Sequence, residues 1–188
     1  MAESLIVCTP GGASDNCYVT TDQADDYWEN MLDGATWAAW ATDDKERALI
    51  QATRKIESLG GRRGPVSSQR WAFPGTPVSI GQALHWPAVD PAVYSGLPFV
   101  SLPEGVSDPT TEIPQGVREA VCEQAFWLLS RRDDPPLVDR SELRGDGVRS
   151  FSIDGLSEQL KGGPPPGVAP EAWSLMKPFV RTASGTRV

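Results

Sequence analysis

Residue types able to do covalent or metal chemistry are few in this chain, and they are scattered. His85 is the only histidine in 188 residues, and it stands between Leu84 and Trp86 in a proline-rich stretch. A Ser-His-Asp or Cys-His site would have to use it, because a serine or cysteine nucleophile needs an adjacent base. No nucleophile elbow surrounds it, so it reads as a loop histidine making packing or polar contacts. Cys8, Cys17 and Cys122 are odd in number and form no C-x-x-C pair. With one histidine they cannot complete a Cys/His zinc set. They read as three free thiols in a reducing compartment. No G-x-x-x-x-G-K-S/T loop occurs, and no G-x-G-x-x-G follows a strand. The acid pairs Asp25 with Asp26, Asp43 with Asp44, and Asp133 with Asp134 are sequence neighbours. Neighbours on a helix point about 100° apart, so they do not converge on one ion. The residues therefore predict no catalytic site, no cofactor and no metal; the chain is not expected to be an enzyme.

One constellation suits a different chemistry. Arg62, Arg63 and Arg70 lie close in sequence to Trp71, with Trp86 further on. Stacking aromatics beside basic side chains are the recipe for holding single-stranded nucleic acid. These arginines would be the DNA contacts of a single-stranded-DNA-binding or replication accessory protein. The global charge opposes that reading. The net charge is −8, with residues 1–60 holding 11 acids against 4 bases. A high-affinity nucleic-acid binder usually carries a basic footprint.

Elements must position these side chains, and the apolar spacing gives them. Residues 4–9 are rich in β-branched types and end at Pro10-Gly11-Gly12, which predicts a strand and a turn. Thr20-x-x-Gln23 has the form of a capping box. It should open a helix over 21–32, with Ala24, Tyr27, Trp28, Met31 and Leu32 inward and Gly34 as its stop. Asp22, Asp25, Asp26 and Glu29 make its other face acidic. Trp37 and Trp40 flank a short apolar piece. The longest clean helix is expected over 43–59, with Ala48, Leu49, Ala52, Ile56 and Leu59 as one stripe and Gly60-Gly61 as its end. Another should run over 114–131 from Pro114, with Val117, Ala120, Val121, Gln124, Ala125 and Leu128 at helical spacing. Residues 147–161 read as two strands around Asp154-Gly155, a hairpin signal, with a helical turn over Leu156 to Leu160 as the alternative. Residues 162–166 form a stiff linker before a short helix over 171–177, and the polar tail after Pro178 reads as mobile unless a partner holds it.

Between the long helices, residues 62–112 are rich in Pro and Gly yet carry Trp71, Phe73, Trp86, Tyr94 and Phe99. That is too aromatic for simple disorder. Gln69 to Pro74 and Gln82 to Pro87 share a Gln-x-apolar-x-aromatic-Pro echo. An ordered loop pinned by aromatic anchors is expected, with Trp71, Phe73 and Trp86 packed into the body or a neighbouring subunit. Seven Trp among 188 residues look too many for one small core, so some are expected in an interface. The predicted fold class is mainly α: a small helical bundle of three long helices plus a short C-terminal helix, a long Pro/Gly-rich loop and a short β-hairpin arm. One helical domain over 1–161 would include the loop 62–112 and the hairpin 147–161, with 162–188 as linker and C-terminal segment. No window is apolar enough to span a membrane, and no secretion signal is visible.

Taken in order, several motifs resemble a known family. Asp15-Asn16-Cys17-Tyr18-Val19-Thr20-Thr21, followed by Ala24-Asp25 and Tyr27-Trp28, resembles an A-N-S-Y-V-S/T-x-x-E-A-D-x-Y-F opening. Ala48-Leu49-Ile50-Gln51-Ala52-Thr53 with Ile56 is similar to its A-L-I-x-A-T-x-x-I-D helix. Gly61-Arg62-Arg63 and then Gln82-x-Leu84-x-Trp86-Pro87 resemble its G-x-R and Q-x-L-x-W-P-R, with Ala88 where Arg often stands. Ile113-Pro114-x-x-Val117-x-x-Ala120 and the close at Trp173, Leu175, Met176 and Pro178 follow its later pattern. The family is the tailed-bacteriophage head–tail adaptor (connector) proteins, many of which carry the label DnaT-like single-stranded-DNA-binding protein. The resemblance implies a dodecameric ring under the portal protein that continues the DNA channel, lets double-stranded DNA pass without holding it, and presents a surface to a neck, stopper or tail-completion protein. It places the protein in the virion neck, and in the host cytoplasm during assembly. Residues 171–188 would dock on the portal through Trp173, Met176, Phe179 and Arg181. Trp71, Phe73, Trp86 and Tyr94 would anchor the loop or a subunit interface.

Overall fold

A computed structural model describes residues 4–60, 71–73, 76–89, 113–133, 150–153, 156–159, 164–165 and 167–182. The described residues are mainly helical. Thr20 starts α1 (Thr21–Glu29) through the expected reciprocal cap: the Gln23 N–H donates to Thr20 Oγ1 at 3.2 Å, and the Thr20 N–H donates to Gln23 Oε1 at 3.1 Å. α1 buries Ala24 and Trp28. It stops at Glu29, three residues short of the expected end, and Met31 and Leu32 are exposed. Gly34 does not end α1; it opens α2 (Gly34–Ala39). The chain doubles back so tightly there that a Cβ on Gly34 would lie 2.4 Å from the Trp28 carbonyl oxygen.

α3 (Thr42–Gly60) buries the anticipated stripe of Ala48, Leu49, Ala52, Ile56 and Leu59, and with it the polar Lys45, Glu46, Thr53 and Glu57. α4 (Gln115–Asp133) packs along α3 through Val117, Ala120, Val121 and Ala125, all fully buried. α5 (Pro170–Met176) and the 3-10 turn Lys177–Phe179 follow; α5 lies on α4 and buries Ala172, Trp173 and Met176. Each large apolar side chain withdrawn from water in this way contributes roughly 1.5–3 kcal/mol. Among the described residues α3 and α4 are long, at 19 residues each, whereas α1, expected over 21–32, has only nine.

Short strands pair three further stretches of chain. β1 (Trp71–Ala72) pairs antiparallel with β6 (Arg181–Thr182), β2 (Thr76–Pro77) with β3 (Ala88–Val89), and β4 (Ser150–Ile153) with β5 (Leu156–Gln159). The register Ile153 to Leu156 is that of the anticipated hairpin; its turn residues, Asp154 and Gly155, lie outside the described residues. The tail expected to be mobile is held as far as Thr182, since Val180 is buried and β6 pairs with β1. The strand expected over residues 4–9 does not form: Leu5 lies in a bend and the segment joins no ladder.

Six of the seven tryptophans pack within the chain itself. Trp28, Trp37, Trp86 and Trp173 are buried, and Trp40 and Trp127 are half-buried against the core. Trp28 stacks between Phe126, at a centroid distance of 4.6 Å, and Trp37, at 5.8 Å, while Trp40 meets Phe126 edge-on at 5.1 Å. Such pairs add roughly 0.5–1.5 kcal/mol each beyond area burial. Burial within the chain accounts for Trp28, Trp37, Trp86 and Trp173; the Trp71 side chain is outside the described residues.

Candidate functional site

The most elaborate polar arrangement sits where the loop meets the helices. α3 presents Glu57, fully buried, on the side facing Tyr18. The Tyr18 hydroxyl donates a short hydrogen bond to Glu57 Oε1 and accepts from the backbone N–H groups of His85, at 3.0 Å, and Trp86, at 3.2 Å. The His85 N–H is shared with Glu57 Oε1 at 3.2 Å. Burial raises the Tyr18 hydroxyl well above the usual phenol range, and the Glu57 carboxylate raises it further, so it stays a protonated donor. Burying these groups would be costly unpaired; paired, they fix the loop backbone in one place.

Gln82 folds the loop upon itself. Its Nε2 lies within hydrogen-bond reach of the carbonyls of Leu84 and His85, each at 2.8 Å, and Pro87, at 3.0 Å, while its Oε1 accepts from the Ser79 N–H at 3.0 Å. This frame aims Leu84 and Trp86 into the core, and the Trp86–Pro87 peptide is cis. Phe73 packs on Trp86 at 4.3 Å between centroids and on His85 at 5.3 Å. Phe179 reaches Trp86 from the C-terminal segment at 6.3 Å. The close approach of Phe179 uses Gly116: a Cβ there would lie 2.9 Å from the Phe179 ring.

Residues singled out from the sequence are therefore partly brought together. Phe73, Trp86 and Phe179 form one aromatic group in this chain's own body. Trp173 and Met176, expected as docking anchors, are buried against α4 and serve the core. Arg181 lies on β6, paired with Ala72, and Trp71 lies on β1. Tyr94, Arg62, Arg63 and Arg70 lie outside the described residues. The roles of Tyr18, Glu57 and Gln124 were missed. Gln124 on α4 accepts from the Ala169 N–H at 2.8 Å and donates to the Gly167 carbonyl at 3.3 Å, which seats the C-terminal segment. The available signal was a glutamine on an otherwise apolar stripe.

Electrostatics around this body are acidic. Asp22, Asp26 and Glu29 are exposed along α1, and α1 carries no base. Several described cations are already engaged. Lys45 pairs with Asp25 at 3.0 Å, Arg47 with Asp43 and Asp44, Arg132 with Asp44 at 3.1 Å, and Arg131 lies over the Trp127 ring. Burial pushes the Cys8 thiol up to about 11, with Cys17 and Asp15 adding to it, and burial also raises Cys17 and Cys122. Thiols held protonated are poor nucleophiles and poor metal ligands. Among the described residues no three His, Cys, Asp or Glu side chains group to hold a metal. No helix among them is long and apolar enough to cross a membrane. The arrangement is built to hold a loop and a C-terminal segment rigidly on a helical body.

Compared with known proteins, residues 3–159 match one family, described as "Putative DnaT-like ssDNA binding protein". No curated protein and no solved structure matches.

Proposed function

The chain belongs to this DnaT-like family, and on that premise we propose that it works as a structural head–tail adaptor of a tailed phage, with a ring of copies below the portal extending the DNA channel and joining capsid to neck or tail. The observation that carries the reading is the outer face of α1, where Asp22, Asp26 and Glu29 are exposed with no base on the helix. A wall of that sign repels a polyanion and lets DNA move past without holding it. The docking of residues 76–89 through Tyr18, Glu57 and Gln82 supports the same reading, because a structural ring part needs fixed surfaces rather than moving ones. Under this proposal the chain lacks an active site, and its partners are further copies, the portal and a neck or tail-completion protein. The portal-facing surface of the C-terminal segment uses exposed positions such as Lys177 and Pro178, since Trp173 and Met176 are buried. Mixing the purified chain with its portal and imaging by negative stain tests this. Added ring density at the portal's outer end is expected; a portal left bare at saturating protein would sink it.

The family description favours a second reading, single-stranded-DNA binding. Trp28, Trp37 and Trp86, rings that could have stacked on bases, are buried. That reading would rest on Arg62, Arg63 and Arg70. A salt-dependent shift of a labelled oligonucleotide at micromolar protein would favour it over the adaptor; none at low salt would end it.

A further inference from the structure

We infer that the uncharged surface formed by residues 5–9 and 78–80 docks a second copy of this chain, an inference that rests on the ring reading for its choice of partner. Along residues 5–9 the backbone groups of alternate residues are satisfied from within, and the Ile6 N–H donates to Ser4 Oγ at 3.2 Å. The Leu5 N–H donates to Glu46 Oε2 at 2.9 Å, and the Leu5 carbonyl accepts from Asn16 Nδ2 at 2.8 Å. The Val7 N–H donates to Asn16 Oδ1 at 2.9 Å, and the Val7 carbonyl accepts from the Asn16 N–H at 3.0 Å. The Thr9 N–H donates to Asp15 Oδ1 at 2.8 Å, and the Thr9 carbonyl accepts from the Gly12 N–H at 2.7 Å. In an extended chain the groups of residues 6 and 8 point the other way. Among the described residues, the Ile6 carbonyl and both backbone groups of Cys8 have no hydrogen-bond partner. This is an open strand edge, a template for pairing with another chain.

Apolar surface adjoins that edge. Leu5 is 44% and Val7 42% exposed. The turn at 78–83 is seated on the turn at 9–12: the Ala83 N–H donates to the Gly12 carbonyl at 2.9 Å, and Val78 Cγ2 would touch a Cβ on Gly11 at 3.7 Å. This brings Val78 and Ile80, the latter 97% exposed, alongside the same segment. Charge selects the occupant. Residues 4–14 and 71–89 contain no Asp, Glu, Lys or Arg, in a chain of net charge −8. Copies repel across acidic faces such as that of α1, and this neutral apolar surface is where they meet with least Coulombic cost. Neither segment offers a nucleic acid a cation of its own.

Sedimentation velocity of the full chain, from micromolar to hundred-micromolar concentration, tests the inference. Wild type should self-associate with rising concentration. Val7→Glu combined with Ile80→Glu should move the midpoint up by at least about tenfold, which is 1.4 kcal/mol. Leu32→Glu, an exposed apolar position on the α1–α2 turn, should leave it unchanged. Independently of any variant, hydrogen exchange at the wild-type Cys8 amide should slow as concentration rises. A monomer at every concentration, association indifferent to the paired substitutions, or a Cys8 amide equally fast throughout overturns it. Solution association through this surface with a bare portal keeps the inference and loses the adaptor. Portal density from a chain monomeric in solution does the reverse.

Discussion

Glu123 illustrates what a single half-buried carboxylate does to this fold. It accepts from the Tyr27 hydroxyl at 2.7 Å, which favours its charged form. Burial outweighs that bond, Glu171, Asp33 and Glu119 add repulsion, and its pKa is raised above the ordinary 4.5. A carboxyl raised on folding binds its proton more tightly in the native state, so its ionisation weakens the fold as pH climbs from the unfolded value through the raised folded one. Above that window the cost is constant. Glu123→Gln keeps an acceptor for Tyr27 and removes the charge. The variant should melt higher than wild type at pH 7, and the gap should close as pH falls toward 4.5. Thermal melts of both proteins across that range check it; a wild type more stable at pH 7 would show that the charged hydrogen bond outweighs desolvation. Nothing in the spacing of Glu123 announced this environment. The same is true of Glu57, whose partners Tyr18 and His85 are far away in sequence.

Elements were legible wherever the signal was local. The Thr20 cap needs only Thr20 and Gln23, and the α3 stripe needs only its own period, so both stand as expected. Signals whose meaning depends on distant chain were misread. The β-branched run at 4–9 has strand propensity, but Asn16, Asp15 and Glu46 side chains occupy one edge where a strand would have paired. The motif from Gln82 to Pro87 was visible as a pattern, yet its cause, a glutamine amide set within reach of three carbonyls, appears only once the loop is folded. Gly34 was read as a stop because glycine commonly follows a helix; here it admits the Trp28 carbonyl where any Cβ would collide at 2.4 Å. Backbone sits on both sides of that contact, so neither can swing aside as a flexible side chain would. Gly34→Ala should therefore destabilise by about 1–3 kcal/mol, the cost of forcing a packed site apart, although alanine is the better helix former. Urea unfolding decides between the two effects, and a more stable alanine variant would mean that α2 shifts freely.

At the scale of the whole molecule, the described residues 167–182 pack on the helical body. The expected division placed a domain boundary near residue 161 and assigned 162–188 to docking. Within that segment Val168, Trp173, Met176 and Val180 are buried, Gln124 bonds to residues 167 and 169, and β6 pairs with β1. At roughly 1.5–3 kcal/mol per large side chain, these four alone amount to about 6–12 kcal/mol, which rivals the whole 5–15 kcal/mol typical of a domain. Removing them would also bare the face of α4 on which α5 lies, a large contiguous apolar patch. A fragment ending at residue 161 should lack a cooperative thermal transition and should aggregate, while the full chain melts as one unit. Near-ultraviolet circular dichroism of the two reads this directly, because the stacked Trp28, Trp37 and Phe126 rings give a fixed-environment signal only when the core is assembled. A fragment with the native aromatic spectrum and a sharp melt would restore the independent docking segment. The expected loss means that any partner gripping the C-terminal segment pulls on the same core that holds the loop, so load on one surface is carried through α4 to the other.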